Sequence, residues 1–224
     1  MATMRTYCDG CAAAHALDLI GERWALLVVR ELLLGPKRFT DLRAGLPHVS
    51  PNVLAQRLRE LEVAGVVRRR KLPPPAASRV YELTEWGLEL EPVIIQLGRW
   101  GARSPSRPRD AAIGVDSIVL ALRTMFDPRA ADGIEASYEL RLGEEHFHAE
   151  VANGRFEIVR GGAERPAATI ETDPGTLAAL VFEGRQLAEA LRSRDLKIEG
   201  DKSAVGRFFG LFSMPEPAAR AVGA

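Results

Sequence analysis

Long apolar runs are missing from this 224-residue chain. The longest near the N-terminus, Ala25 to Val29, is far short of the roughly 20 residues that a membrane span needs. Residues 1–15 mix Arg5, Asp9 and His15 and hold no apolar centre, so neither a signal peptide nor a membrane partner is expected. Cysteine is equally scarce. Two cysteines cannot build a disulfide scaffold, and the expected compartment is the reducing cytosol, making the protein cytoplasmic. The chain also lacks G-x-S-x-G, a phosphate loop and a Rossmann fingerprint, and neither cysteine has a defined base. No catalytic residues, no metal and no cofactor are expected, and the chain reads as something other than an enzyme.

Net charge is absent as well, with 30 basic and 30 acidic residues. That balance hides an asymmetry. Residues 1–104 hold 15 Lys/Arg against 11 Asp/Glu, net +4, whereas residues 105–224 hold 15 against 19, net −4. Only the first half is suited to a polyanion. With 46% apolar and 27% charged residues the chain is globular, and its length predicts one or two domains. The best boundary is Ser104-Pro105-Ser106-Arg107-Pro108-Arg109-Asp110, where prolines and serines oppose both helix and sheet. This sets a first domain at 1–103, a linker at 104–112 and a second domain at 113–224.

The first half is mainly helical. Ala14 to Ile20 is a short helix stopped by Gly21, Trp24 to Leu34 is an apolar helix closed by Gly35-Pro36, and Phe39 to Ala44 is a third. Ser50 caps a longer helix to about Ala64, with Pro51 at its first position. Val66 to Leu72 and Arg79 to Leu83 read as paired strands around a proline loop, and Thr84 caps a helix towards Trp100 that Pro92 should kink or break. Three helices, a hairpin and a further helix are the order of a winged helix-turn-helix.

At about 100° per residue, Leu54, Leu58 and Leu61 share one face of the Ser50–Ala64 helix. Asn52, Gln56 and Arg59 face the other way, and Arg57 lies on the flank. Amides can bond bidentately to adenine and guanidinium to guanine in a major groove. The hairpin adds Arg68, Arg69, Arg70, Lys71 and Arg79 as candidate phosphate contacts. Ser50, Asn52, Gln56, Arg57, Arg59, Arg69, Arg70, Lys71 and Arg79 are thus the candidate residues for double-stranded DNA. The same residue types also suit an ordinary solvated face, and some winged helices bind protein instead.

The stretches Leu17-Asp18-Leu19-Ile20-Gly21-Glu22-Arg23-Trp24, Arg30-Glu31-Leu32 and Gly35-Pro36-Lys37-Arg38-Phe39-Thr40-Asp41-Leu42-Arg43 resemble the HxlR-type regulators, a branch related to MarR. Ser50-Pro51-Asn52-Val53-Leu54-Ala55-Gln56-Arg57-Leu58-Arg59-Glu60-Leu61-Glu62 and Tyr81-Glu82-Leu83-Thr84-Glu85-Trp86-Gly87 extend the resemblance, which covers about Cys11 to Gly101. It implies a homodimeric winged-helix transcription regulator. Such a dimer would read a palindromic operator with half-sites about 34–36 Å apart. Leu88, Val93, Ile94, Leu97 and Trp100 form the candidate dimer surface, with packing on their own domain as the alternative. Cys8-Asp9-Gly10-Cys11 is a weak C-x-x-C; incidental thiols are the leading reading, redox sensing at Cys8 and Cys11 the second, metal a distant third.

In the second half, helix Asp116–Phe126 precedes alternating strands through Tyr138, Leu140 and Leu142 and through Phe147, Ala149 and Val151. Asn153-Gly154 signals a hairpin to Phe156 and Ile158. A strand at Ala168–Thr172, two helices, a strand at Leu196–Glu199 and a helix capped by Gly200-Asp201 follow. The expected class is α+β with an antiparallel sheet. His146 and His148 share a strand face and read as exposed polar positions. The segments Ala168–Leu177, Phe182-Glu183-Gly184 and Leu196–Asp201 resemble the sterol-carrier-protein domain over roughly Ile134 to Phe212. That resemblance implies a tunnel for apolar molecules, with Phe126, Tyr138, Leu177, Val181, Phe182, Leu187, Leu191, Phe208 and Phe212 as candidate lining. The combined reading is a DNA-binding regulator that senses an apolar small molecule. The alternative is a lipid carrier whose winged helix docks protein.

Overall fold

The computed structural model describes residues 6–74, 77–108 and 111–219. Arg5, the Pro75 end of the hairpin loop and Arg109-Asp110 of the expected linker lie outside them. The chain parts into two compact units, Met1–Ile94 and Ile95–Ala224.

The first unit runs α1 (Ala12–Ile20), α2 (Ala25–Leu32), α3 (Phe39–Gly45), α4 (Pro51–Val63), β1 (Val67–Lys71), β2 (Arg79–Leu83) and α5 (Glu85–Leu88), and enters α6 (Leu90–Ala102). Local chemistry sets these bounds. Ser50 Oγ accepts the Val53 N–H at 3.3 Å, and Pro51 starts α4 where a missing N–H costs nothing. The expected helix Glu85–Trp100 is broken at Glu89 into α5 and α6, and Pro92 becomes the third residue of α6, again among the orphan donors. Val28, Val29, Leu32, Leu42, Leu54, Leu58, Leu61, Val67 and Val80 form the core. β1 and β2 are antiparallel, with Lys71 opposite Arg79, and Lys37 adds one bridge to Tyr81 through bonds of 3.0 and 2.8 Å. Gly87 is required where α5 meets this sheet: a Cβ there would lie 2.2 Å from the Val66 carbonyl oxygen.

Buried Glu31 ties α2 to the segment that leads into α3. Its carboxylate meets Arg30 and Lys37, each at 2.8 Å. Burial pushes its pKa up, but the Lys37 charge and hydrogen bond, joined by those of Arg30, outweigh this and hold it below the ordinary value.

The second unit takes the last turns of α6, then α7 (Val115–Met125), β3 (Ala136–Leu142), β4 (Glu145–Ala152), β5 (Arg155–Arg160), β6 (Ala168–Thr172), α8 (Pro174–Phe182), α9 (Leu187–Ser193), β7 (Leu196–Gly200) and α10 (Lys202–Phe209). The end of α6 is held here rather than with the winged helix. Arg99 Nε donates to the Thr124 carbonyl at 2.7 Å, and Gly98 lets the helices approach, since a Cβ would meet Thr124 Cγ2 at 3.3 Å. The hairpin at Asn153-Gly154 has both residues at positive φ, 53° and 69°, the form whose twist suits a two-residue turn.

The sheet order is β5-β4-β3-β6-β7. Its expected antiparallel character needs correction: β3 and β6 are parallel, with Leu140 opposite Ile170, so the sheet is mixed. After β5 the chain returns through residues 161–167 to the far side of β3 instead of adding another hairpin. One sheet face is apolar, with Tyr138, Leu140, Phe147, Ala149, Ile158 and Ile170 fully buried and Phe208 of α10 packed on Tyr138 at 4.8 Å between ring centroids. The other face carries Glu139, Arg141, His146, His148, Glu171 and Lys197. Among the described residues, no helix is long and apolar enough to cross a membrane.

Candidate nucleic-acid interface

The α3–turn–α4 unit and the β1–β2 hairpin set the geometry of the expected DNA surface. Burial of Leu54, Leu58 and Leu61 fixes the rotation of α4 and turns Asn52 and Arg59 to solvent. Ser50 is exposed at the start of this face with its oxygen engaged as the cap. Gln56 is half-buried, and its Nε2 donates to Glu60 Oε1 at 2.9 Å, which orients the amide along the helix. Arg57 departs from the expected role. Its side chain is only 11% exposed, one terminal nitrogen lies 3.2 Å from Glu22 and the other pairs with Glu60. Two carboxylates take up this guanidinium, so it braces α4 instead of facing outward.

The hairpin cations divide in the same way. Arg68 and Arg70, on one face of β1, each bring Nε to within 2.8 Å of Glu82, which lies across from Arg68. Arg69, on the other face, lies 2.7 Å from Glu62 and 5.3 Å from the Tyr81 ring centroid. Lys71 and Arg79, paired across the strands next to the loop, are exposed and meet no carboxylate among the described residues. Two further exposed cations lie at the ends of α3, Arg38 at its N-cap and Arg43 in its last turn. Sequence reading passed over them, although a basic residue at each end of the helix preceding a recognition helix is itself a signal for backbone contact.

Cys8 and Cys11 are both exposed free thiols. Cys11 sits at the N-cap of α1, and the first-turn amides of Ala14 and Ala13 lower its pKa by stabilising the thiolate. His146 Nδ1 lies 3.0 Å from buried Glu139, and His148 Nε2 lies 3.0 Å from Ser137 Oγ. No group of three His, Cys, Asp or Glu suited to a metal occurs among the described residues.

The expected tunnel residues part into two sets. Phe126, Tyr138, Phe208 and Phe212 pack ring on ring, joined by Phe156, with centroid separations from 4.8 to 6.3 Å. Leu177 is fully buried on α8. Val181, Phe182, Leu187 and Leu191, on α8 and α9, are half-buried. The phenol oxygen of Tyr138 is buried without a partner among the described residues, and burial pushes its pKa up. Only Phe126 of the nine borders the open groove of about 500 Å³ that lies beside α6 and α7.

Residues 19–108 match the HxlR-like helix-turn-helix family, and residues 111–220 match the alkyl sulfatase C-terminal family. Over 85 residues the chain is 40% identical to YvaP of Bacillus subtilis (strain 168), an uncharacterized HTH-type transcriptional regulator, covering 38% of this chain and 79% of that one. It is 39% identical over 85 residues to the HTH-type transcriptional regulator YodB of the same organism, covering 38% and 76%. Among solved structures, the reduced form of YodB is 35% identical with a TM-score of 0.39, covering 43% of this chain and 95% of that one. The sec-alkylsulfatase Pisa1 from Pseudomonas sp. is 20% identical with a TM-score of 0.45; this chain spans 18% of its length, with 50% of this chain covered.

Proposed function

Because the chain belongs to the HxlR-like helix-turn-helix family, we propose that it is a homodimeric transcription regulator that binds operator DNA through α4 and the β1–β2 hairpin. The observation that carries this reading is the rotation of α4: three leucines lie fully buried while Asn52 and Arg59 stand in solvent. Asn52, Gln56 and Arg59 address base edges. Lys71 and Arg79, supported by Arg69 and Arg70, address phosphates. The second unit holds an apolar small molecule in the manner of the sterol-carrier domain it resembles. Because the aromatic cluster is packed, such a molecule would have to displace Phe126 or Phe212 to enter between sheet and helices. A ligand changes DNA binding only through a difference in affinity for two dimer arrangements.

Fluorescence anisotropy on the DNA upstream of the chain's own gene, with random duplex as competitor, tests the DNA reading. Saturable binding that weakens steeply with salt is expected. Equal affinity for specific and random duplex, or none for either, removes it in favour of a docking module.

A second reading rests on Cys11. Its exposure and its place at the N-cap favour the thiolate, so oxidation at this thiol is a further input to the regulator. Alkylation by iodoacetamide no faster than that of free cysteine would remove it.

A further inference from the structure

The open groove of about 500 Å³ in the second unit is used neither by the DNA-binding reading nor by the packed aromatic cluster. Trp100, Met125 and Phe126 give it apolar walls, and Arg99, Arg103 and Asp127 give it charge. Arg99 Nε donates to the Thr124 carbonyl at 2.7 Å and Arg103 Nε to the Glu216 carbonyl at 3.1 Å. Both anchors use the inner nitrogen, which fixes each guanidinium and leaves its terminal nitrogens, the pair that grips an oxyanion. Neither arginine meets a carboxylate among the described residues. Arg99 lies in the last turn of α6 and Arg103 directly after its end, and both line the groove, so their like charges favour an anion between them. Asp127, the one acidic wall residue, leaves the groove with a positive balance, and its Oδ1 is occupied by the Arg129 N–H at 3.0 Å. Trp100 is 74% exposed beside this charge, an indole face with no aromatic partner among the described residues.

We infer that this groove binds a small amphipathic organic anion, its acid group held by Arg99 and Arg103 and its apolar body laid against Trp100, Met125 and Phe126. The volume suits a ligand of one or two rings or a short chain. The inference sharpens the reading of the second unit as a ligand holder and is independent of whether the first unit binds DNA. It moves the ligand from the packed interior to a site that already has both space and charge.

Calorimetric titration of the full chain with 2-naphthoate, its neutral isostere 2-naphthamide and acetate tests it. Saturable binding of one naphthoate per chain is expected, about tenfold tighter than the amide and weakened by salt, with no binding of acetate. Arg103→Gln should lower naphthoate affinity by about fivefold or more and Arg99→Gln by as much, while Asp127→Asn should tighten it. If Arg99→Gln loosens the fold by releasing Thr124, the Arg103 and Asp127 variants carry the test. Equal binding of acid and amide, insensitive to the arginines, overturns the anion site and leaves an apolar site elsewhere standing. No binding of either probe overturns both. Naphthoate affinity that falls as protein concentration rises shows that a second copy covers Trp100, and it too overturns the inference.

Discussion

Glu82 is a single carboxylate set between Arg68 and Arg70, and that pairing ranks the hairpin cations. A guanidinium already half-neutralised gains less from a phosphate than a cation with no acidic neighbour. Lys71 and Arg79 are the latter kind. Lys71→Ala or Arg79→Ala should weaken binding to all sequences alike and reduce the slope of log affinity against log salt by about 1. Arg70→Ala should do so less, because Arg68 remains to hold Glu82. An Arg70 effect equal to or larger than the other two, measured in the same salt series, would overturn this ranking. In the proposed interface Asn52 belongs to the other class of contact. Asn52→Ala should cost about 1–3 kcal/mol on the specific site and little on random duplex, so competition between the two should show lost discrimination. The outward positions of Asn52 and Arg59 were legible from period alone, because helix rotation follows from which leucines must be buried; Gln56 is half-buried, with its amide on Glu60. Arg57 was not. Its partner Glu22 lies 35 positions away in the chain, and no local pattern reveals which flank residue a distant carboxylate will capture.

At the scale of elements, the helices and hairpins followed from caps, prolines and turn pairs, and their ends moved by only a residue or two. The parallel pairing of β6 with β3 was hidden, because strand alternation fixes which face is buried and is silent about neighbours. The clasp of Glu31 was hidden for a related reason. Apart from neighbouring Arg30, Glu31 occupies an apolar helix, and only the fold brings Lys37 back across it. A carboxylate whose folded pKa lies below its unfolded value adds stability at neutral pH, and that contribution fades as pH falls from about 4.5 through the lowered folded value. Glu31→Gln should therefore cost about 1–3 kcal/mol at pH 7, the cations being partly solvated. Urea melts should show the gap between variant and parent closing as pH drops towards 3. A gap that is constant with pH would mean that Gln disturbs packing and that the charge contributes nothing.

At the scale of the molecule, one helix carries the argument about assembly. Val93 and Leu97 are 48% and 47% exposed and lie four apart, which places them in a stripe along α6, whereas Trp100, 74% exposed, belongs to the groove wall. From sequence, both a dimer role and a packing role were open to these side chains, and their exposure leaves the packing role without support for Val93 and Leu97. Ile94 is half-buried, which sets it at the edge of the stripe. Two copies that bury such stripes against each other would form a two-fold pair with two α4 helices to present, and only a pair of that kind binds both halves of a palindrome. Leu97→Glu should place like charges face to face across the axis while leaving each chain folded, since Leu97 is half-exposed to begin with. Sedimentation should then show a shift from dimer to monomer at equal concentration, with the melting temperature changed only by the loss of association. Affinity for a full palindrome should drop towards that for a half-site. A variant that stays dimeric and keeps palindrome binding would assign the two-fold contact to another surface.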